Sequence, residues 1–436
     1  MFKSSLFWFQ NDLRVQDNPA LMQAASQSER LLCLVIIDPS QFRPGRYSTK
    51  ALGAARWRFL QQSITDLQAT LATQGQQLLI RVGQPMQVMA ELITEVGMDA
   101  VFSSYHPGHY ERHRWELLQQ RYPYLHWQQA HSNTLFDAAE LPFSISELPD
   151  SFSKFRRKVE GLPVPAATAA AKLPPPPGNL RLANDTTPTT GRLDNGFSGG
   201  ERAAHEHLQS YFSEAHASEY KEVRNELDGW RNSTKFSAWL ATGCVSPRTV
   251  YDYLKAYEQR AGANDSTYWI YFELLWREYF HWYGYRYGQS LFAFGGIKQS
   301  SPSTSFYPTR FQKWCSGNTP YPIVNACMKQ LNATGFMSNR GRQLVASCLV
   351  NELELDWRYG AAYFEQQLVD YDVASNWGNW QYLAGVGADP RGKRWFDLAK
   401  QTQLYDPQHA FIERWQGQQH SMPLDDVDAA DWPVSD

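Results

Sequence analysis

The sequence predicts an α/β domain with a parallel sheet, followed by a long linker and an all-helical C-terminal domain. Three observations support this organisation. Short apolar runs alternate with helical patterns over residues 1–131, periodicity fades over residues 132–198, and residues 199–420 are helical in pattern almost throughout. With 436 residues, the chain also exceeds the size at which one hydrophobic core normally keeps growing, so two domains are expected.

In the first domain, four short apolar runs predict strands at residues 5–9, 31–37, 78–82 and 100–103. Helical patterns separate them around residues 50–74, 85–97 and 110–121. Such alternation predicts a Rossmann-like parallel sheet flanked by helices. No Gly-x-Gly-x-x-Gly follows the first strand, so a cofactor of this half would be bound without the usual dinucleotide fingerprint.

The linker is predicted from composition, because residues 173–178 (LPPPPG) lie within an Ala-, Thr- and Pro-rich stretch that cannot form a packed element. In the second domain, Ser and Thr after Asn232 and the pair Ser246-Pro247 predict helix starts. Aspartates concentrated at the end of the chain predict a frayed acidic tail over residues 421–436.

Composition narrows the functional classes. The net charge of −3 gives no global attraction to nucleic acid, so phosphate binding must come from a local basic patch. Five cysteines without Cys-x-x-Cys spacing argue against disulfides and structural zinc, and favour a reducing cytoplasm. The apolar runs are too short for a signal peptide or a membrane span, and no sustained heptad seam is present, so a soluble, unexported monomer is expected.

Residues 370–382 (DYDVASNWGNWQY) place two carboxylates, an amide and three large aromatics in thirteen positions. A folding core alone rarely needs that combination, and we interpret it as a flavin site. Residues 338–342 (SNRGR) add cations and an amide, while Glu273 and Trp276 lie one helical turn apart. Together these segments indicate flavin photochemistry on nucleic acid.

Three further patterns each allow two interpretations. Residues 232–237 (NSTKFS) offer hydroxyls and a lysine at a helix start, which suits either a simple N-cap or a phosphate site. The aromatic stripe of residues 268–283 fits a core helix with a salt-bridged edge, or a cavity wall where Trp276 stacks a base and Glu273 binds its edge. Residues 390–395 (PRGKRW) fit an exposed turn or a phosphate contact.

Two further sets of charged or titratable residues could form ion pairs or a metal site. Arg340 and Arg342 are expected to pair with carboxylates such as Asp370 and Asp372, which would serve structure and cofactor equally. His106, His109 and His113 have a metal-ligand spacing, but residues 107–108 (PG) break the helix that would align them. No metal site is therefore predicted.

Four motifs occur in the order typical of one family: residues 8–21 (WFQNDLRVQDNPAL), 233–237 (STKFS) followed by 243–248 (GCVSPR), 334–342 (TGFMSNRGR) and 376–382 (NWGNWQY). The chain thus resembles the photolyase and cryptochrome flavoproteins along nearly its whole length, and most closely the DASH cryptochromes. The resemblance implies that the helical domain binds FAD bent into a U. It also implies cofactor contacts from Tyr220, Thr234, Lys235, Phe236, Ser237, Asn339, Arg342, Asp370, Asp372 and Asn376.

Some implied roles are specific. Arg342 would pair with Asp370, and Asn376 would sit by the reactive flavin nitrogen, where an amide can support either redox state. Trp380 and Trp357 match the inner two members of a tryptophan chain that photoreduces the flavin. The third is missing, because residues 303–308 contain no Trp, so Tyr307 or Trp314 must finish the path, or photoreduction is slower.

The implied activity is blue-light repair of cyclobutane pyrimidine dimers by electron transfer from excited reduced flavin, with Glu273 and Trp276 catalytic. The implied substrate-binding residues are Glu273, Trp276, Arg277, Asn339, Arg340, Gln343 and Tyr382. Tyr382 and Gln343 stand where duplex-acting relatives carry Trp and Met, which favours single-stranded DNA. The alternative is a blue-light sensory cryptochrome without repair activity. Residues 104–111 depart from the family pattern, but Glu111 is still expected to bind a methenyltetrahydrofolate antenna.

Overall fold

The computed structural model describes residues 1–178, 183–189, 191, 195–389 and 394–419. Its architecture is a parallel-sheet domain followed by a helical domain, as predicted. The acidic tail predicted at residues 421–436 lies outside the described residues, as do residues 390–393 of the PRGKRW motif.

The sheet has five strands: β1 Ser5–Phe9, β2 Leu31–Ile37, β3 Leu78–Val82, β4 Ala100–Ser104 and β5 His126–Ala130. Every pairing is parallel, and the strand order is β3-β2-β1-β4-β5. The four predicted strands are present. Strand β5 was not predicted, because it lies at the sheet edge and its sequence HWQQA lacks the apolar run that marks the central strands.

Helices cover both faces of the sheet: α1 Pro19–Gln27, α2 Ala54–Thr73, α3 Pro85–Val96 and α4 His109–Arg121. Alternate residues of β1 serve different cores. Leu6 and Trp8 pack with α3 and α4, whereas Phe7 and Phe9 belong to a larger core that continues into the helical domain. The two domains therefore share one continuous hydrophobic core.

The residues predicted as linker contain a helix, α5 Phe152–Val159, whose Phe152 and Phe155 are buried. The chain before it is anchored by a buried carboxylate, because Glu278 accepts hydrogen bonds from the backbone N–H groups of Leu135 and Phe136 at 2.8 and 3.3 Å. Burial raises the pKa of Glu278 to about 7. This part of the linker is thus packed structure.

The second domain contains α6 Glu201–Ser213, α7 His216–Val223, α8 Ser237–Thr242, α9 Pro247–Ala261, α10 Asp265–Tyr287, α11 Pro308–Ser316, α12 Pro322–Thr334, α13 Asn339–Ser347, α14 Trp357–Gln367, α15 Val373–Leu383, α16 Leu398–Tyr405 and α17 Ala410–Arg414. A π-helical turn, Cys348–Glu352, follows α13. Helix α10 begins with a capping box at Asn264 and packs against α7, α9 and α15. None of the described helices is long and apolar enough to cross a membrane.

Candidate cofactor cavity and substrate surface

A cavity of about 660 Å³ opens in the helical domain, within the size range usual for small-molecule sites. All ten residues predicted to hold the cofactor line it: Tyr220, Thr234, Lys235, Phe236, Ser237, Asn339, Arg342, Asp370, Asp372 and Asn376. Glu273, Arg277, Gln343 and Trp380 line it as well. Segments separated by up to 160 positions, from Tyr220 to Trp380, therefore converge on one site.

Lys235 is a buried cation at this cavity. Its Nζ donates to Ser233 Oγ at 2.9 Å and to the Gly229 carbonyl at 3.2 Å, and it lies 4.6 Å from the ring centre of Phe336. Among the described residues no carboxylate lies within ion-pair distance of it. Burial lowers the pKa of Lys235 to about 8. A buried ammonium without a counter-ion favours a bound anion such as a phosphate.

Arg342 and Asp370 form a buried ion pair on the cavity wall. Arg342 Nη2 donates to both carboxylate oxygens of Asp370, at 2.8 and 3.0 Å, and its Nε donates to the Met337 carbonyl at 2.9 Å. The pairing joins α13 to the segment that precedes α15. It fixes the guanidinium in place before any ligand binds.

Asp372 has an unforeseen partner, His281. Asp372 caps α15 by accepting from Ser375 N at 2.8 Å, and it accepts from His281 Nε2 at 2.8 Å. Burial alone would raise the pKa of this carboxyl, but His281, Arg277 and the Ser375 N–H together hold it well below its usual range. His281 was missed, although its position four residues after Arg277 and eight after Glu273 puts all three on one face of α10.

The face of α15 that lines the cavity carries Asn376 and Trp380. Asn376 is buried, and its amide nitrogen donates to the Ala361 carbonyl of α14 at 3.0 Å. Trp380 packs directly on Gly360, where any Cβ would overlap the indole. Gly360 thus allows α14 and α15 to approach closely enough to hold Trp380 at the cavity.

The other predicted members of the tryptophan chain lie behind this wall. Trp314 is fully buried and meets Trp380 edge to face at 6.2 Å. Trp357 contacts Trp377 at 5.8 Å and does not line the cavity, and Tyr307 lies under the Arg310 guanidinium. Of the two candidates for the last electron donor, Tyr307 and Trp314, it is therefore Trp314 that contacts Trp380.

The predicted substrate residues are divided between the cavity and its surroundings. Glu273 lines the cavity and pairs with Arg224, a residue that was not predicted. The Arg224 guanidinium also lies 4.2 Å from the ring centre of Trp269. Burial raises the pKa of Glu273, and Arg224 opposes that rise. The carboxylate is thus held in place by a fixed cation.

Trp276, Arg340 and Tyr382 do not line the cavity. Trp276 stacks on Phe152 of α5 at 3.8 Å and meets Tyr382 edge to face at 5.9 Å. The guanidinium of Arg394 in turn lies over Tyr382, 4.4 Å from the ring centre of that tyrosine. These rings form an outer surface one helical turn from Glu273.

Arg340 lies on the same outer surface. Its Nη2 donates to Asn225 Oδ1 at 3.2 Å, and its guanidinium packs on the rings of Tyr405 at 4.7 Å and Phe396 at 5.9 Å. Glu111, the predicted antenna residue, does not line the cavity and lies in the first turn of α4, 3.7 Å from His106.

Comparison with known proteins agrees with this arrangement. Residues 5–177 match the family model described as DNA photolyase, and residues 269–435 match the FAD binding domain of DNA photolyase. A cryptochrome DASH from Idiomarina loihiensis is 57% identical over 435 residues, which cover 99% of this chain and 97% of that protein. The chain belongs to the photolyase/cryptochrome family.

Other members of the photolyase/cryptochrome family are similar over equally long stretches. A cryptochrome DASH from Vibrio parahaemolyticus is 52% identical over 439 residues, covering 99% of this chain and 98% of that protein. The crystal structure of a Synechocystis cryptochrome has a TM-score of 0.90 at 39% identity, covering 95% of this chain and 88% of that one. A class III photolyase from Agrobacterium tumefaciens has a TM-score of 0.80 at 25% identity, covering 95% and 86%.

The cofactor of this family member is FAD, and the cavity suits it. The buried Lys235 ammonium offers a site for its phosphates, while Asn376, Asp372 and Trp380 offer an amide, a carboxylate and an indole on another wall. When bound, FAD supplies light absorption and one-electron chemistry. The chain itself supplies orientation, charge and the exclusion of water.

Proposed function

We propose that this protein uses blue light absorbed by FAD to split cyclobutane pyrimidine dimers, with a preference for single-stranded DNA. The observation that supports this most strongly is the spacing on α10. Glu273 lines the cofactor cavity, and one turn later Trp276 meets Tyr382 on the outer surface, 5.9 Å away. A base held by those rings would lie beside the cavity.

The side chains support a division of roles. Glu273, positioned by Arg224, would accept hydrogen bonds from the edge of an extruded pyrimidine. Trp276 and Tyr382 would contact its ring, and Arg340 would neutralise a strand phosphate. At the cavity, Arg277 would bind the substrate, Asn376 would present its amide to the cofactor, and Trp380 would serve as an indole electron donor to it.

The preference for a single strand has a physical reason. Phe152 covers part of Trp276 by stacking at 3.8 Å, and the hydroxyl of Tyr382 accepts a hydrogen bond from the Arg394 guanidinium. The stacking surface that remains is small. Extruding bases from a duplex costs a few kcal/mol, and the cost is least when the strand is already unpaired, so weak stacking suits single-stranded substrate.

We also propose a methenyltetrahydrofolate antenna near Glu111. This carboxylate stands where the two domains meet, because the adjacent Arg112 donates to the backbone carbonyls of Gly284 and Tyr285 at the end of α10, both at 3.0 Å. A chromophore there would lie between the sheet domain and the helix that carries Glu273. The five cysteines are all free, which supports a reducing, cytoplasmic setting.

The role of Glu273 can be tested with Glu273→Gln, which keeps the shape of the side chain and removes its charge. We expect dimer repair to fall by about tenfold or more, while FAD absorbance per protein stays unchanged. Asp265→Asn is the matched control, because Asp265 is an exposed carboxylate on the same helix, paired with Lys221. Full repair by the Glu273 variant would remove this residue from the substrate site.

A further inference from the structure

Trp395 is a large aromatic side chain left in solvent. It is 63% exposed, although its indole Nε1 donates to Glu352 Oε1 at 2.7 Å. The hydrogen bond orients one edge of the ring while most of its surface remains free. Trp and Tyr with an anchored polar edge and a free apolar body are enriched at recognition surfaces.

The neighbours of Trp395 place it at the edge of the proposed substrate surface. Arg394, the preceding residue, packs on Tyr382 and pairs with Asp389 at 2.6 Å. Phe396, the following residue, faces Arg340 and donates its backbone N–H to Ser347 Oγ at 3.1 Å. The backbone on both sides of Trp395 is therefore tied to the two residues that flank the outer rings.

The charge around Trp395 suits a nucleic acid strand. In the part of the chain that the structure describes, Arg340 has no carboxylate partner, and its Nε is buried without a hydrogen bond. Three carboxylates lie near Trp395 in sequence or by contact, and each has a partner: Glu352 accepts from the indole, Asp389 pairs with Arg394, and Asp397 caps α16 by accepting from the backbone N–H of Lys400. A cation without a counter-ion next to an exposed ring can take a phosphate and a base together.

We propose that Trp395 is a stacking platform for the base of the undamaged nucleotide next to the dimer, with Arg340 on the adjacent phosphate. This subsite lies outside the cavity, and the inference rests on the proposed function. Stacking on an indole tolerates any base, because every base has a π face. In a duplex the flanking base stays paired and stacked, so Trp395 strengthens binding to single strands selectively.

The test is binding in the dark of labelled single strands that carry one dimer, measured by fluorescence anisotropy. One strand has intact neighbours, and two others have an abasic site on one side or the other of the dimer. Trp395→Ala should bind the intact strand about 5- to 30-fold more weakly than the wild type. On the strand lacking the stacked base, the two proteins should bind equally.

Two further variants separate stacking from unfolding. Trp395→Phe keeps a π face and should retain most of the affinity, whereas Trp395→Leu should behave like the alanine variant. Tyr124→Ala removes an aromatic that is 73% exposed on the sheet domain and should bind like the wild type. Equal FAD content and equal Tm in all variants establish that they are folded.

The outcomes are distinct for the two proposals. If Trp395→Ala binds the intact strand as tightly as the wild type, or loses the same factor on every abasic strand, the stacking platform is wrong and dimer repair stands. If the wild type neither binds nor repairs a dimer in any strand, both proposals fail. If Trp395→Ala binds the intact strand more weakly than the wild type, but binds one of the two abasic strands equally well, the stacking platform is supported. That strand also identifies the side of the dimer on which the stacked base lies.

Discussion

The cofactor cavity and the outer substrate surface are built in different ways. In the cavity, side chains from three of the four family motifs converge with residues of α7 and α10, and pairs such as Arg342–Asp370 and His281–Asp372 are made within the protein. On the outer surface, Trp276 and Tyr382 depend on α5 and residue 394, which come from distant parts of the chain. The first site is preformed, while the second keeps two half-buried rings, the exposed ring of Trp395 and a cation for a partner.

This difference follows from the cost of burying polar groups. A buried carboxylate or guanidinium without a partner costs several kcal/mol, so the fold itself must satisfy it. An exposed ring or cation carries no such requirement, and Trp395 and Arg340 keep their free surfaces. Changes that break the buried ion pairs of the cavity should therefore affect the fold and the cofactor, whereas changes on the outer surface should affect DNA binding alone.

The largest effect is expected from breaking the Arg342–Asp370 pair. Arg342→Met leaves the Asp370 carboxylate buried and unpaired, and should lower the free energy of unfolding by about 3 kcal/mol and abolish FAD binding. Denaturant unfolding and the flavin absorbance of purified protein measure both.

The double variant Arg342→Met/Asp370→Leu sharpens that result. Because it removes both charges, it should regain most of the lost stability without regaining FAD. Recovery of FAD binding in the double variant would mean that the pair serves structure alone.

The contact between Trp314 and Trp380 predicts a graded loss of photoreduction. Trp380→Phe removes the indole at the cavity and should nearly stop light-driven reduction of FAD in the presence of a thiol. Trp314→Phe keeps a ring but removes the indole that contacts Trp380 at 6.2 Å, and should slow reduction severalfold. Trp127→Phe, in strand β5, is the control and should match the wild type. An unaffected Trp314 variant would assign the outward path to Trp357 alone.

The smallest effect is a pH dependence from Lys235. The pKa of Lys235, about 8, lies below the ordinary lysine value of 10.5. Between these two pH values the unfolded chain binds more protons than the folded apoprotein. The stability of the apoprotein should therefore rise with pH over this interval. Bound phosphate favours the charged lysine, so FAD affinity should fall over the same interval, by at most about tenfold per pH unit. Lys235→Met should flatten both profiles in calorimetry and FAD titration. A wild-type profile as flat as that of the variant would rule out a phosphate at Lys235.

What the sequence could predict follows the same division. The four central strands are continuous apolar runs, and residues 370–382 form a contiguous motif, so both were recognisable. Strand β5 and helix α5 were missed, because β5 is polar at an edge and the short α5 was grouped with the proline-rich stretch that follows it, although Phe152, Phe155 and Val159 have helical spacing. Contacts between distant segments, such as Phe152 with Trp276, leave no local pattern. His281 also had an overlooked signal, its spacing from Glu273 on α10.

Light-driven repair of dimers in single strands can be measured directly. A single thymine dimer is placed once in a single strand and once in the matching duplex, and each is illuminated with blue light in the presence of protein whose FAD has been reduced beforehand. We expect rapid repair of the single strand and slow repair of the duplex. No repair of either strand, with FAD bound and photoreducible, would contradict it and favour a sensory cryptochrome.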